Sequence, residues 1–395
     1  MARLPIPLAA SAALIAICLA PAAPARAAAG VTLAPLPSPV VGSVTLSASV
    51  AGIPRLSEVR ISVDGLRVAS CRTSPCAVPW DSRAVPDGSH SVTAQAFVAS
   101  RLRASRSVKV VVDNQPSVQG PAPTIAGCAV FPADNPWNTD VSSWPVHPNS
   151  ANFIASIGTA NLHPDWGDIY GIPYATVPGT QPLVPVSFYY ADESDPGPYP
   201  IPPNAPVEGG SDRHVLVLDR DHCVLYEMFD AQRSGAGWSA GSGAVWDLKI
   251  DDTRPAGWTS ADAAGLPILP GLVRYDEVVV KGQMNHAVRF TVSRTQKGYV
   301  APASHWASSS TNPNLPPMGL RLRLKASFDV STFHPQIQVI LRALQKYGMI
   351  VADNGSNWYI TGELNPLWDN DILDQLKTVA GSNFEVVDTG PVVTP

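Results

Sequence analysis

The residues from Arg213 to Phe229 constrain this chain more than any other stretch. They read Arg-His-Val-Leu-Val-Leu-Asp219, Arg-Asp221, His222-Cys-Val-Leu-Tyr-Glu-Met-Phe. Two apolar runs around a polar centre predict a β-hairpin. With Arg220-Asp221 as a two-residue turn, Asp219 pairs with His222 and the ladder brings His214 opposite Glu227. Alternation along the strands puts that pair on one face with Leu216, Leu218, Cys223 and Leu225. An imidazole beside a carboxylate on an apolar face is costly to bury, and such environments perturb pKa values in the way active centres use. Register carries this inference, because a one-residue slip would part the two side chains.

The first residues speak to compartment. Arg3, an apolar run from Leu8 to Ala20 and the small-x-small sequence Ala25-Arg-Ala27 follow the order of a secretory signal peptide. Residues 1–28 are therefore expected to be removed and the protein secreted. No later stretch approaches the ~20 apolar residues of a membrane span. Without Cys18, the cysteines are Cys71, Cys76, Cys128 and Cys223, an even set that predicts disulfides in an exported chain. Proximity pairs Cys71 with Cys76 and leaves Cys128 with Cys223, which would tie the domain entrance to the hairpin. The formal charge is -5 and becomes more negative once Arg3 and Arg26 leave. With no Lys/Arg run, nucleic acid and anionic membrane surfaces are excluded as partners. A chain with 40 Pro and 29 Gly suits a loop-rich, mainly β protein of two domains.

The first domain is expected over residues 31–114. Ser43–Val50 and Val59–Val63 alternate as strands, Asp64-Gly65 supplies a hairpin turn, and Ser89–Phe97 and Ser107–Val112 complete a small sandwich. Its His90 reads as a strand-surface residue. The run Val-Asp-Gly65, Trp80-Asp-Ser and Pro86-Asp-Gly-Ser-His-Ser-Val-Thr-Ala-Gln-Ala resembles bacterial immunoglobulin-like modules of secreted proteins, which implies a spacer or attachment role. Residues 115–124 are a linker by composition, and 125–390 form the putative catalytic domain, with all of the ten Trp except Trp80. From Cys128 to Tyr190 the chain shows little periodicity and reads as loops and short strands. Strands are expected at Leu183–Tyr190, Ala244–Leu248, Glu277–Val280 and Met284–Val292. Ile337, Ile340, Leu341 and Leu344 predict a helix ended by Gly348. Met349–Ala352 then reads as a buried strand with Trp358–Ile360 as its return, and Asp371–Thr378 as a last short helix. Four patterns, Phe131-Pro-Ala-Asp-Asn-Pro-Trp-Asn138, Ser260-Ala-Asp-Ala-Ala-Gly-Leu-Pro267, Asn285-His-Ala-Val-Arg-Phe290 and Tyr347-Gly-Met-Ile-Val-Ala-Asp-Asn354, resemble a family of exported bacterial proteins. That resemblance implies one intact domain and transfers no catalytic residues.

Several other residues join His214 and Glu227 as candidates. His286 is placed on an apolar strand face with Val288, Phe290 and Val292, while Arg289 points the other way. Between these segments the polar loop Asp251–Pro267 has the composition of a site wall. It offers Asp262 as a second carboxylate, Arg254 to hold a substrate oxygen and Trp258 to stack on a sugar. His305, Trp306 and Asp353 are further substrate-binding candidates, and His163 has a rim position. Two motifs mislead. Gly237-Trp-Ser239-Ala-Gly241 matches a nucleophile elbow but lacks the strand before and helix after it, and a two-His-one-carboxylate metal set of His214, Glu227 and His286 is not forced by spacing. Neither metal nor cofactor is expected.

The resulting expectation is a mainly β protein: an immunoglobulin-like sandwich followed by a larger β-sandwich-like domain with C-terminal α/β elements. Its expected activity is extracellular polysaccharide degradation, with Glu227 and Asp262 as the carboxylate pair of a glycoside hydrolase tuned by His214. A polysaccharide lyase would instead use His214 or His286 as base, with Arg254 or Arg289 neutralising a uronate. A non-catalytic glycan- or cell-wall-binding protein is the third possibility. A monomer whose partner is a polysaccharide or cell-wall glycan is expected in each case.

Overall fold

A computed structural model describes residues 30–37, 40, 42–85, 88–112 and 121–395. The expected signal peptide and most of the expected linker lie outside these residues. The chain divides into a small unit built on residues 45–80 and 91–109 and a large one holding 110–395.

In the small unit, strands Leu66–Cys71, Glu58–Val63, Gly88–Val98 and Arg101–Val112 form one sheet in that order, and Gly30–Leu33, Ser43–Ala51 and Cys76–Asp81 another. Alternation supplies its core, with Val59, Ile61 and Val63 buried along one strand and Val92, Ala94 and Ala96 along its neighbour. The Asp64-Gly65 turn forms as read, with both residues at positive φ and Val63 pairing Leu66. His90 departs from expectation and is largely buried.

The large unit rests on a mixed six-stranded sheet. Its order is His163–Asp165, Tyr359–Thr361, Val288–Val292, Met349–Asn354, Arg321–Leu324 and Phe384–Val386. Val288–Val292 and Met349–Asn354 run parallel at its centre, where Val288, Phe290, Val292 and Met349–Ala352 are buried. The helix Pro335–Lys346 begins with Pro at its first position, capped by the His334 side chain. It buries Ile337, Ile340, Leu341, Ala343 and Leu344. Gly348 ends it in the left-handed region (φ 70°), where a Cβ would collide with the Leu322 carbonyl.

A second sheet, Tyr174–Val177, Val215–Asp219, Val224–Phe229 and Ser242–Asp247 in that order, carries the hairpin. It is buried on both faces. Leu216, Leu218, Leu225, Ala244 and Trp246 join the main core, while Val215, Val217 and Met228 pack with Tyr199, Ile201 and Trp238 in a separate one. Strands Val186–Phe188, Gly237–Ala240 and Gln232–Ser234 form a third, small sheet.

Several expected elements differ. Glu277–Val280 is part of a π-helical turn, Asp276–Lys281, closed by Gly282 in the left-handed region. The β-branched run misled, because Glu277 and Val278 are buried by one turn of helix rather than a strand. The strand at 284–292 is confined to Val288–Val292, so His286 precedes it. Tyr359–Thr361 is no return of the preceding strand, since Val288–Val292 lies between them. Of Leu183–Tyr190 only Val186–Phe188 is strand, and the segment read as loops holds the helix Ser150–Ile157.

The hairpin register also differs. Val215 pairs Met228, Leu216 pairs Glu227, and Asp219 pairs Val224. The turn is longer because the Asp219 carboxylate folds over it, accepting from the backbone N–H of Asp221 and His222 and bonding the His222 ring at 2.7 Å. Cys223 takes a positive φ at its end. Glu227 therefore stands opposite Leu216 and not His214. The offset is an even one, so both side chains keep the face they were assigned.

Disulfides join Cys71 to Cys76 and Cys128 to Cys223 as expected. The second closes a loop with a sequence separation of 95, for which chain entropy gives about 4–5 kcal/mol. Replacing Cys128 and Cys223 together by Ser is expected to lower stability by an amount of that order. Urea unfolding of the purified full chain measures it, and an unchanged midpoint would count against the bridge as a stabiliser.

Candidate functional site

Charged groups converge where the loop 259–263 meets the central strands. Arg289, on Val288–Val292, is buried. Its Nε and Nη2 donate to the two carboxylate oxygens of Asp262 at 2.6 and 2.9 Å, and Nη1 donates to Thr361 Oγ1 at 2.8 Å. The same Nη2 lies 3.8 Å from Asp353. Asp353 sits near the end of Met349–Asn354 with its side chain 29% exposed, whereas that of Asp262 has none.

The loop is held by its own polar groups. Ser260 Oγ donates to the Leu266 carbonyl and accepts from the Asp262 N–H, and Ser242 Oγ donates to the Ser260 carbonyl. Thr259, Ser260, Ala261, Asp262 and Ala263 thereby line a cavity of about 160 Å³ that Tyr190, Phe229, Ser242 and Asp353 complete. These five residues belong to the loop that the sequence offers as a site wall.

Asp353 is the carboxyl of that cavity open to solvent. Burial pushes its pKa up to about 6, and the charge of Asp262 adds to this against the pull of Arg289 and the Asn354 N–H. Asp262 is differently placed: its oxygens are taken by Arg289 and the Ala263 N–H. The expected partnership of Glu227 with Asp262 as acid and nucleophile meets an obstacle in burial. Glu227 is fully buried, and its carboxyl accepts from the N–H groups of Ile268 and Leu269 and from the Trp246 indole. Burial pushes its pKa up to about 7 against those backbone donors.

His214 is also buried, with a partner that sequence reasoning missed. Its Nδ1 lies 2.5 Å from Glu208, and its Nε2 lies 3.1 Å from the Ala261 carbonyl. A carbonyl only accepts, so Nε2 is the nitrogen that donates to Ala261, and the carboxyl group of Glu208 at Nδ1 favours a second proton on the ring. Burial opposes that charge, but Glu208 more than offsets it and holds the pKa above the ordinary value. His214 thus braces the cavity wall from behind. His286 belongs elsewhere: it bonds Glu277 at 2.9 Å and the Ala287 carbonyl, beside buried Arg274. The metal set of His214, Glu227 and His286 finds no common centre. Among the described residues no group of three or more His, Cys, Asp or Glu is placed to hold a metal ion.

The remaining expected residues gather beside the loop. Arg254 pairs with Asp195 and donates to the Glu193 carbonyl, with its guanidinium over Trp258 at 5.3 Å. His305 bonds the Ala263 carbonyl at 2.8 Å and stacks on Trp306 at 5.1 Å. Glu193, unforeseen, accepts from the Thr259 N–H and lies 4.0 Å from His305. His163 stacks on Tyr359 at 4.1 Å. Ser239 lies on a strand, Gly237–Ala240, that runs on into Ser242–Asp247 with no helix after it, so the nucleophile-elbow geometry is absent there.

Two predictions follow from this packing. Arg289→Met leaves Asp262 as an uncompensated buried charge and is expected to cost about 3–5 kcal/mol by urea unfolding, most of it recovered by adding Asp262→Leu. The raised pKa of Glu227 sets a pH dependence as well. The folded protein keeps a proton there that the unfolded chain releases above about 4.5, so stability falls as pH rises from that value towards about 7. Glu227→Gln should flatten this slope, as read from urea midpoints across that window.

Residues 33–94 match the family model of the bacterial Ig domain. Fibronectin(III)-like modules of Clostridium thermocellum CbhA are similar over 21% of this chain and 96% of theirs, at 25% identity and a TM-score of 0.18. An endo-beta-1,4-mannanase from Thermotoga petrophila is similar over 22% of this chain and 20% of its own, at 14% identity and a TM-score of 0.19. A lytic polysaccharide monooxygenase from Jonesia denitrificans is similar over 20% and 60%, at 19% identity and a TM-score of 0.16. No curated protein matches the chain. The N-terminal module is immunoglobulin-like, and the family match ends well before the residues of the cavity.

Proposed function

We propose that the large unit cleaves glycosidic bonds of an extracellular polysaccharide, in an exported protein whose immunoglobulin-like module serves as spacer or attachment. The observation that carries this reading is Asp353. A glycosidic leaving oxygen needs a proton, and the donor must be a carboxylic acid that keeps it near working pH. Asp353 lines a cavity, stays partly open to solvent and has a pKa of about 6. It shares the Arg289 Nη2 with Asp262, at 3.8 and 2.9 Å.

In this reading the acid is Asp353 and not Glu227, whose carboxyl is enclosed. Asp262 is the companion charge that raises Asp353, itself paired with Arg289. His214 and Glu208 act at one remove as positioning residues, fixing the Ala261 carbonyl and the wall it belongs to. His305, Trp306, Trp258 and Arg254 border the cavity loop as the substrate side. A lyase finds less support, because His214 and His286 are committed to carboxylates and Arg254 and Arg289 to Asp195 and Asp262.

Binding without turnover is the second reading, favoured by the closed state of Asp262, which leaves a single open carboxyl. One experiment separates the two. Release of reducing ends from a panel of polysaccharides is expected, with kcat/KM falling above about pH 6 as Asp353 loses its proton. Asp353→Asn is expected to lower kcat about 10²–10⁴-fold with the fold intact. Retention of a glycan with no reducing ends, or full activity in Asp353→Asn, would sink the hydrolase.

A further inference from the structure

The cavity at Asp353 is neighboured by a larger one of about 470 Å³, and the two share Tyr190 and Phe229 as lining. Tyr189 and Tyr190 stand at this groove edge to face, ring centroids 4.8 Å apart, 82% and 48% exposed. Ser187, Gln232 and Ser239 supply hydroxyl and amide groups along it. The rings of Phe188 and Phe229 lie against bare backbone, since a Cβ on Gly243 would run into Phe188 and one on Gly241 into Phe229.

No cationic side chain lines either cavity among the described residues. The charged groups are Asp230, Asp262 and Asp353, all of them acidic. Asp262 is neutralised by Arg289, Asp230 accepts from the Gln232 amide, and Asp353 holds its proton at mildly acidic pH. A polyuronate or sulfated chain would find carboxylates and no counter-charge. An uncharged sugar chain finds ring faces for its C–H surfaces and neutral donors and acceptors for its hydroxyls.

We infer that this groove receives an uncharged glycan chain and leads it to Asp353, with Tyr189 as the stacking platform; the inference rests on the reading of the Asp353 cavity as the reacting site. The test uses the full chain with Asp353→Asn, so that bound glycan is not consumed. Affinity electrophoresis is run through gels containing mannan, β-1,4-glucan or xylan, then alginate or polygalacturonate, then chitosan. Retention is expected on at least one neutral glycan, weakened about tenfold by Tyr189→Ala and preserved by Tyr189→Phe, with none on the polyuronates. Retention only on charged glycans, equal retention of Tyr189→Ala and its parent, or no retention at all overturns the inference. Turnover by the unsubstituted chain without Tyr189-dependent retention removes the groove and leaves the hydrolase. Tyr189-dependent retention on a neutral glycan with no turnover removes the hydrolase and leaves the groove.

Discussion

Arg289 is a charge near the middle of the largest sheet, and it can stay there only because segments far apart in sequence supply its partners. Asp262 arrives on a loop, Thr361 on a neighbouring strand and Asp353 at the end of a parallel one. A guanidinium is suited to this place: its planar fork meets a carboxylate through two bonds and leaves a third nitrogen for the hydroxyl. The pairing fixes the loop against the sheet and so gives the cavity its wall. It also sets the charge environment of Asp353. Architecture and acid strength thus depend on the same ion pair.

His214 and Glu227 share one face of a doubly buried sheet, yet burial treats them in opposite ways. Glu227 accepts its hydrogen bonds from neutral donors, so desolvation prevails and raises its pKa. His214 has a carboxylate at hydrogen-bond distance, and the charged form prevails. The deciding variable is the partner's charge rather than depth. One buried group is thereby pushed towards its neutral form and the other towards its cationic form, though the sequence pattern placed them together.

What was legible depended on whether the cause was local. The helix 335–346 followed from apolar spacing and a terminal glycine, the Asp64-Gly65 turn from backbone preference, and the disulfides from parity and proximity. The hairpin register was not, because a side chain, that of Asp219, decided the turn by bonding the backbone. Val278-Val-Val280 read as a strand although Gly282 and the burial of Glu277 turned it into helix. Around the cavity, the loop at Asp262 and the strand end at Asp353 were legible as elements, but the pairing through Arg289 was not. Three segments meet there, and nothing in their spacing announces it. Glu208 was hidden for a simpler reason: it lies in an irregular stretch with no periodicity to assign its direction.

Gly241 and Gly243 have a consequence for how such a cleft is shaped through sequence change. The wall here is shaped by two absent side chains, because a Cβ on Gly241 would run into Phe229 and one on Gly243 into Phe188. A single methyl at either position would push on one of those rings. The shape of this wall and the Arg289–Asp262 ion pair therefore sit on different residues, and one can drift without the other.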